Sequence, residues 1–348
     1  MPAPRRTPVP DVIAPDMLWS GTTCRASAEQ CPVVIEHVGT NVELRRDNVL
    51  MDGSFRAEPG SILRNVVQRG GDLWGPGAAE RRARTTDHGF DVPVVTDVIS
   101  DEVEVLLWVA CARAPGDRAR RTTLAIARLL HRAGVSFAIL GQRKSCTGGP
   151  ARRLCIYYLY QEQARANIAT LVEAGVLTIV ASCPYCFETI TDEHPALGGH
   201  FSVLHDGRLR QRLVADDRLL AGRVPRTVTY QDPCYLGRRN RVFDERRSVL
   251  DTMAGTHRVE MGCSWEWGRC CGAAGARMWL EERLGAQTND MRADDTLRTR
   301  ADIIATACPC CTILPEDASR TRRKQREVEV VDFAQLLKRS MVKLEEAQ

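Results

Sequence analysis

Two sets of cysteines copy one another along this chain. Cys111, Cys146, Cys183 and Cys186 stand at intervals of 35, 37 and 3 residues. Cys234, Cys271, Cys308 and Cys311 stand at intervals of 37, 37 and 3, with Cys270 doubling the second position. The last three members of each set lie 125 residues apart and the first members 123. Chance does not place residues this way, and a duplicated unit does. An interval of 35 to 37 residues between site residues suits one strand–helix–strand unit. The apolar runs agree with this. Residues 103–112, 135–140 and 176–181 read as strands that end at or shortly before Cys111, Cys146 and the Cys183–Cys186 pair. Residues 227–230, 257–261 and 302–307 do the same for the second set. Each cysteine is thereby expected at the C-terminal edge of a strand, where open α/β sheets carry their sites.

Between the strands, residues 118–132 and 151–174 predict helices in the first repeat, as do 238–253 and 278–300 in the second; a strand at 327–331 and a helix at 333–344 close the chain. The expected fold is therefore α/β: two pseudo-symmetric repeats of βαβ units, 103–222 and 223–348, facing one another. A degenerate helical segment (1–58) and a Gly- and Arg-rich connecting region (59–102) precede them. In that connecting region Gly70-Gly71, Gly75-Pro-Gly77 and Asp87-His88-Gly89 break regular structure, with Trp74 as an anchor.

Composition narrows the function. With 48 basic and 44 acidic residues, the net charge of +4 is too mixed to argue for nucleic acid. The chain carries no apolar run of membrane-spanning length, and no apolar core follows the basic N-terminus as a secretory signal requires. Fourteen cysteines, several adjacent or in C-x-x-C spacing, point to a reduced compartment and metal ligation rather than a disulfide framework. The expected location is the cytoplasm, including the inner face of the plasma membrane. The basic run 322–326 reads as a solvated loop, with docking of an acidic redox partner as its alternative.

Near the N-terminus, Gly21, Cys24, Ser27, Cys31 and Pro32 keep the frame of the cluster-binding run C-x2-C-x2-C-x3-C-P, but glycine and serine replace two thiolates. Cys24 and Cys31 alone cannot hold a four-iron cube, so both are expected to be vestigial. The helix that follows is expected over 34–50.

The repeats retain their ligands. Cys111, Cys146, Cys183 and Cys186 supply four thiolates, enough for one four-iron cluster. Cys234, Cys270, Cys271, Cys308 and Cys311 supply five. Adjacent Cys270 and Cys271 fit an ordinary cube badly, which favours a non-cubic cluster or a thiolate left free to react. The expected cofactors are one or two [4Fe-4S] clusters, the second cubic or not, with zinc as the alternative for a set of four thiolates. Cys270 and Cys271 are the candidate catalytic residues. Cys155, Cys263 and Cys310 fall outside the repeat; Cys155 is expected to be a small apolar side chain in a helix. The glycines after Cys271 suit close backbone approach and lack dinucleotide-binding spacing. His194 and His200 read as loop residues, and no hydrolase-type triad is present.

Cys234, then Cys270-Cys271-Gly272, then Cys308-x-x-Cys311 resembles the cysteine-rich "CCG" domain of heterodisulfide reductases. The same domain occurs in iron–sulfur subunits of glycolate and lactate oxidases and of anaerobic glycerol-3-phosphate dehydrogenases. Leu18-Trp-Ser20, Cys146-Thr-Gly148, Asp232-Pro-Cys-Tyr-Leu-Gly-Arg238 and Arg277-Met-Trp-Leu-Glu-Glu282 bring the chain nearest to bacterial iron–sulfur-binding reductases of that type. The resemblance implies an electron-transfer oxidoreductase subunit that works with a flavoprotein, a ferredoxin or a membrane cytochrome and reduces a disulfide or quinone-linked acceptor at the second repeat. Its alternative is a non-catalytic partner-binding module or a weakened paralogue. The chain departs from its relatives at Gln231, where a histidine is usual, at Gly149, where an aspartate is usual, and at Cys155, where glycine is usual. The first ferredoxin motif is missing and the second is damaged.

Overall fold

The computed structural model describes residues 8–53, 58–68, 90, 92–110, 118–313 and 328–345. Cys111, Trp74, the glycine breaks of 70–89 and the basic run 322–326 lie outside them.

Two four-stranded parallel sheets of the same design carry the fold. The first holds β1 (Val105–Trp108), β2 (Phe137–Ala138), β3 (Thr178–Ala181) and β4 (Ser202–His205) in the order β2-β1-β3-β4. The second holds β5 (Thr227–Gln231), β6 (His257–Val259), β7 (Ile303–Thr306) and β8 (Glu329–Asp332) in the order β6-β5-β7-β8. Every pairing is parallel: Leu107 opposes Val180 in one sheet, and Thr229 opposes Ile304 in the other. Parallel strands are covered on both faces and so read as unbroken apolar runs. All four residues of β1 and all four of β7 are buried.

Short helices precede the sheets: α1 (Pro15–Ser20), α2 (Ala26–Glu29), α3 (Val38–Leu50) and α4 (Gly60–Gln68). The last falls in the region read as connecting chain. The first repeat adds α5 (Arg118–Arg132), α6 (Gly149–Arg153), α7 (Tyr157–Glu173), α8 (Pro184–Glu188) and α9 (Asp206–Ala215). The second adds α10 (Gly237–Asn240), α11 (Asp244–Thr252), α12 (Thr288–Arg298) and α13 (Phe333–Glu345).

The repeats share one core. Leu129 and Leu130 of α5, Val105 and Val180 of the first sheet, Val228 and Ala305 of the second, and Leu336 and Leu337 of α13 belong to the same buried cluster. Helix α13 crosses to pack on α5, where Gln335 Nε2 donates to Thr122 Oγ1 at 2.7 Å. Helix α9 packs reciprocally on α11. Residues of both sheets thus share one buried cluster with helices of both repeats.

Three local expectations fail for identifiable reasons. The helix over 151–174 is two helices, α6 and α7, because Cys155 between them adopts φ 64°, a left-handed conformation in which a side chain is strained. Glycine tolerates this geometry, which accounts for the glycine usual there. The helix expected over 278–300 forms only at Thr288–Arg298. Its first part is replaced by a 3-10 stretch, Ala274–Trp279, kinked at Gly275 (φ 65°) and Ala276 (φ 64°). A Cβ on Gly275 would lie 2.8 Å from Thr23 Oγ1 and 2.9 Å from the Thr22 carbonyl oxygen, so the N-terminal segment lies directly on this turn. The helix at 238–253 likewise divides at Arg241, whose φ is 53°, leaving α10 and α11.

Candidate thiol redox site

The C-terminal edges of β3, β5 and β7 and the loop after β6 converge, and they bring cysteines from three parts of the chain together. Cys234 follows β5 in a turn held by its neighbour Asp232. Asp232 accepts two bonds of 2.8 Å from Arg247 and one of 2.9 Å from the Trp265 N–H. The Arg247 guanidinium is buried, stacks 3.9 Å over the Trp265 ring and also pairs with Glu260. One cation thereby fixes the Cys234 turn to the loop leading to Cys270.

Cys24, Cys234 and Cys270 pack as one buried group with Tyr235 and Ala274. Cys271, Cys308, Cys310 and Cys311 pack as a second with Ala273, and Tyr185 lies against both. Cys183, from the first repeat, lies in hydrogen-bonding contact with Cys308 and with Cys186. Cys146 is buried in a separate cluster with Leu159 and Tyr160, where Asn167 Nδ2 donates to its carbonyl at 2.7 Å. Cys31 and Cys263 are half-exposed. Cys155 is buried, with its Sγ 3.7 Å from the Val42 carbonyl oxygen.

Cys24, expected to be vestigial, lies against the cysteines of the second repeat. Its carbonyl accepts from Arg238 Nε at 2.7 Å, and its thiol reaches Cys270. Cys310 also joins the site, although it lies between the repeat cysteines. No local pattern in the sequence announces either, because both contacts depend on how distant segments dock.

The thiol contacts shift neighbouring thiols in opposite senses. Donation to Cys270, followed by burial, pushes the Cys24 thiol well up, and the same two causes push Cys234 well up. Cys270 accepts from Cys234 and Cys24, and its own pKa is lowered. Cys271 is in hydrogen-bonding contact with Cys270 and with Cys311, whose Sγ is 3.3 Å away, and accepts from the Ala273 N–H; these contacts hold its thiol well below the ordinary range. Donation to Cys271 pushes Cys311 well up. The Gly272 N–H points at Cys270 Sγ from 3.3 Å, a close approach made at φ 92°. Cys183, bonded to Cys186 and Cys308 and fully buried, is pushed up to about 12. Contacts that lower a thiol's pKa therefore gather on the adjacent Cys270 and Cys271. Cys271 has the most strongly lowered pKa of these thiols, and the thiolate is the reactive form of a cysteine.

This arrangement corrects the cofactor expectation. One or two [4Fe-4S] clusters, cubic or not, or zinc in their place, require three or four ligands around a common centre. Among the described residues no group of three or more His, Cys, Asp or Glu side chains is arranged to hold a metal ion. Cys111, needed for the first set, lies outside them. The remaining thiols are strung in pairwise contacts from Cys24 through Cys270 and Cys271 to Cys311, Cys308 and Cys183, and several are spent as donors to a neighbouring sulfur.

Fold and site together define a class: a tandem-repeat α/β protein whose strand ends gather cysteines at the junction of the repeats. The chain belongs to the cysteine-rich (CCG) domain family, whose model matches it twice, over residues 105–191 and 228–314. It falls among the iron–sulfur-binding oxidoreductases related to heterodisulfide reductase subunits. It is 36% identical over 342 residues to the EtfAB:quinone oxidoreductase of Syntrophomonas wolfei, covering 95% of this chain and 47% of that protein. A probable iron-sulfur-binding oxidoreductase, FadF, of Bacillus subtilis is 34% identical over 336 residues, covering 95% and 48%. A component of the dihydromethanophenazine:CoB–CoM heterodisulfide reductase of Methanosarcina barkeri is 32% identical over 220 residues, covering 61% and 53%. The chain spans about half the length of these curated relatives. Among the described residues no helix is long and apolar enough to cross a membrane.

Proposed function

We propose that the chain is an electron-transfer oxidoreductase subunit that reduces a disulfide acceptor, with Cys271 and Cys311 as its two-electron couple. The observation that carries this is the 3.3 Å contact between a thiol held well below its ordinary pKa and one pushed well above it. Such a pair supplies a nucleophile and a resolving thiol together. The Cys271 thiolate attacks one sulfur of the acceptor disulfide, forming a mixed disulfide and releasing the first thiolate, which takes up a proton. Cys311 then attacks Cys271 Sγ and forms the Cys271–Cys311 disulfide. The second acceptor thiol departs, and the Cys311 proton balances it. Two electrons and two protons have passed to the acceptor, and the two-electron-reduced flavin of a partner flavoprotein restores the dithiol. Cys270 positions the reaction by donating to Cys271.

A second reading passes the electrons to a quinone-linked acceptor. The name of the Syntrophomonas relative, an EtfAB:quinone oxidoreductase, favours it. The two readings separate on one reagent. An aromatic disulfide is mixed with reduced protein carrying Cys31→Ser and Cys263→Ser, which remove the half-exposed thiols, and the products are mapped by mass spectrometry. The disulfide reading expects a Cys271–Cys311 bond, and a mixed disulfide trapped on Cys271 when Cys311→Ser is added. Labelling elsewhere with Cys271 untouched would sink it.

A further inference from the structure

A cavity of 340 Å³ is lined by the N-terminal segment, the first repeat and, from the second repeat, Tyr235 and Arg239. That volume suits a small molecule. Its walls carry five guanidinium groups, those of Arg25, Arg46, Arg152, Arg153 and Arg239. Against them stand three carboxylates, Glu36, Glu43 and Glu193.

Guanidinium groups outnumber carboxylates in the wall itself, five to three. Arg25 is matched by Glu36, Arg46 by Glu43, and Arg239 by Glu188 outside the cavity. Arg152 and Arg153 share the single carboxylate of Glu193, at 3.0 and 3.2 Å. Two guanidinium groups thus meet one carboxylate where Arg153 and Glu193 are both buried, and the next carboxylate, Asp192, lies beside Glu188 and Arg239. Arg46 Nε is also buried without a hydrogen-bond partner. Arg46 and Arg152 both lie over the Tyr157 ring, at 4.6 and 5.6 Å, so an element of the N-terminal segment and one of the first repeat are held around the same space. Beneath them the Tyr235 hydroxyl is fixed by Thr23 Oγ1 at 3.0 Å and Arg153 Nε at 2.9 Å. Its ring stacks on Tyr185 with centroids 4.4 Å apart.

We infer that this cavity binds a small organic anion, carboxylate- or phosphate-bearing, whose charged end sits among Arg46, Arg152 and Arg153 with Tyr235 as the floor. Planar guanidinium forks match the oxygens of either group and favour a localised anion over a neutral ligand. The inference goes beyond the redox reading and stands separately from it, because binding is read as heat and not as electron transfer.

The test is titration calorimetry at low ionic strength with two probes, succinate and inorganic phosphate. One site per chain is expected for at least one of them, and the stronger arm identifies the anion class. Arg46→Gln and Arg152→Gln should each weaken binding about tenfold or more. Arg283→Gln, a surface change that loses pairings to Glu58 and Glu281, should leave it unchanged. If Arg152→Gln does not fold, Arg46→Gln decides alone, since its guanidinium pairs with the exposed Glu43 on its own helix. No heat from either probe up to about 10 mM, well beyond millimolar affinity, would overturn the inference. So would equal binding in wild type and Arg46→Gln.

Discussion

Replacing Cys270 by alanine removes the contact that does most to lower the Cys271 pKa. The Cys271 sulfur is in contact with Cys270, with Cys311 and with the Ala273 N–H, in that order of effect, against burial that opposes ionisation. A hydrogen bond to a charged group contributes about 1.5–3 kcal/mol, and each 1.4 kcal/mol is a factor of ten in an equilibrium constant. Below its pKa, therefore, Cys271 should be about ten- to a hundredfold less ionised in Cys270→Ala than in wild type. Its alkylation by iodoacetamide should slow in proportion. The assay is residue-resolved alkylation followed by mass spectrometry across a pH series, with melting temperature confirming that the variant folds. Cys270→Ser, which restores an O–H donor, should recover part of the rate, and a general loosening of the site would not produce that recovery. An unchanged pH profile for Cys271 in the alanine variant would refute the reasoning.

Arg247→Met should destabilise the chain by about 3–5 kcal/mol, because Asp232 and Glu260 lose the buried cation between them. A lower urea midpoint with an unchanged slope reads this, and a loss below about 1 kcal/mol would contradict it. Gly207→Ala would drive a Cβ into the guanidinium of the buried Arg246, so overpacking should cost about 1–3 kcal/mol and lower the melting temperature. Asp332 is fully buried, and burial pushes its carboxyl up to about 7. The unfolded chain ionises it near its ordinary value of about 3.9, so the folded state binds the extra proton and stability falls as pH rises from about 4 to about 7. Asp332→Asn should accordingly raise the melting temperature at pH 8 relative to wild type and change it little at pH 4; an equal effect at both would count against the assignment.

The repeat made much of the fold legible. Six of the eight strands follow from apolar runs placed by the cysteine intervals, and β8 from the run at 327–331, observed at Glu329–Asp332. The strand β4, at Ser202–His205, went unread because its residues are partly exposed and polar at both ends. Yet it stands 127 residues before β8, close to the spacing of the cysteines, and that offset was the available signal. The failures share a cause. The turn at Gly275–Ala276, the approach of Cys24 to Cys270 and the shift that approach gives each thiol all depend on the N-terminal segment docking on the second repeat, some 210 to 250 residues away in sequence. A pattern read locally sees none of this. Ligand counting failed for a related reason. Spacing states which thiols reach the same sheet edge, and only their packing states whether they surround a centre or form a chain.

The central claim, that Cys271 and Cys311 form the two-electron couple, is tested most directly by redox titration of the native chain. The protein is equilibrated anaerobically with thiol–disulfide buffers of graded potential, its free thiols are blocked, and the Cys271–Cys311 peptide pair is quantified. The account predicts that the two thiols disappear together along a single two-electron curve, with the linked peptide appearing in step. Cys271 remaining a free thiol across the series, or pairing with a different cysteine, would contradict it.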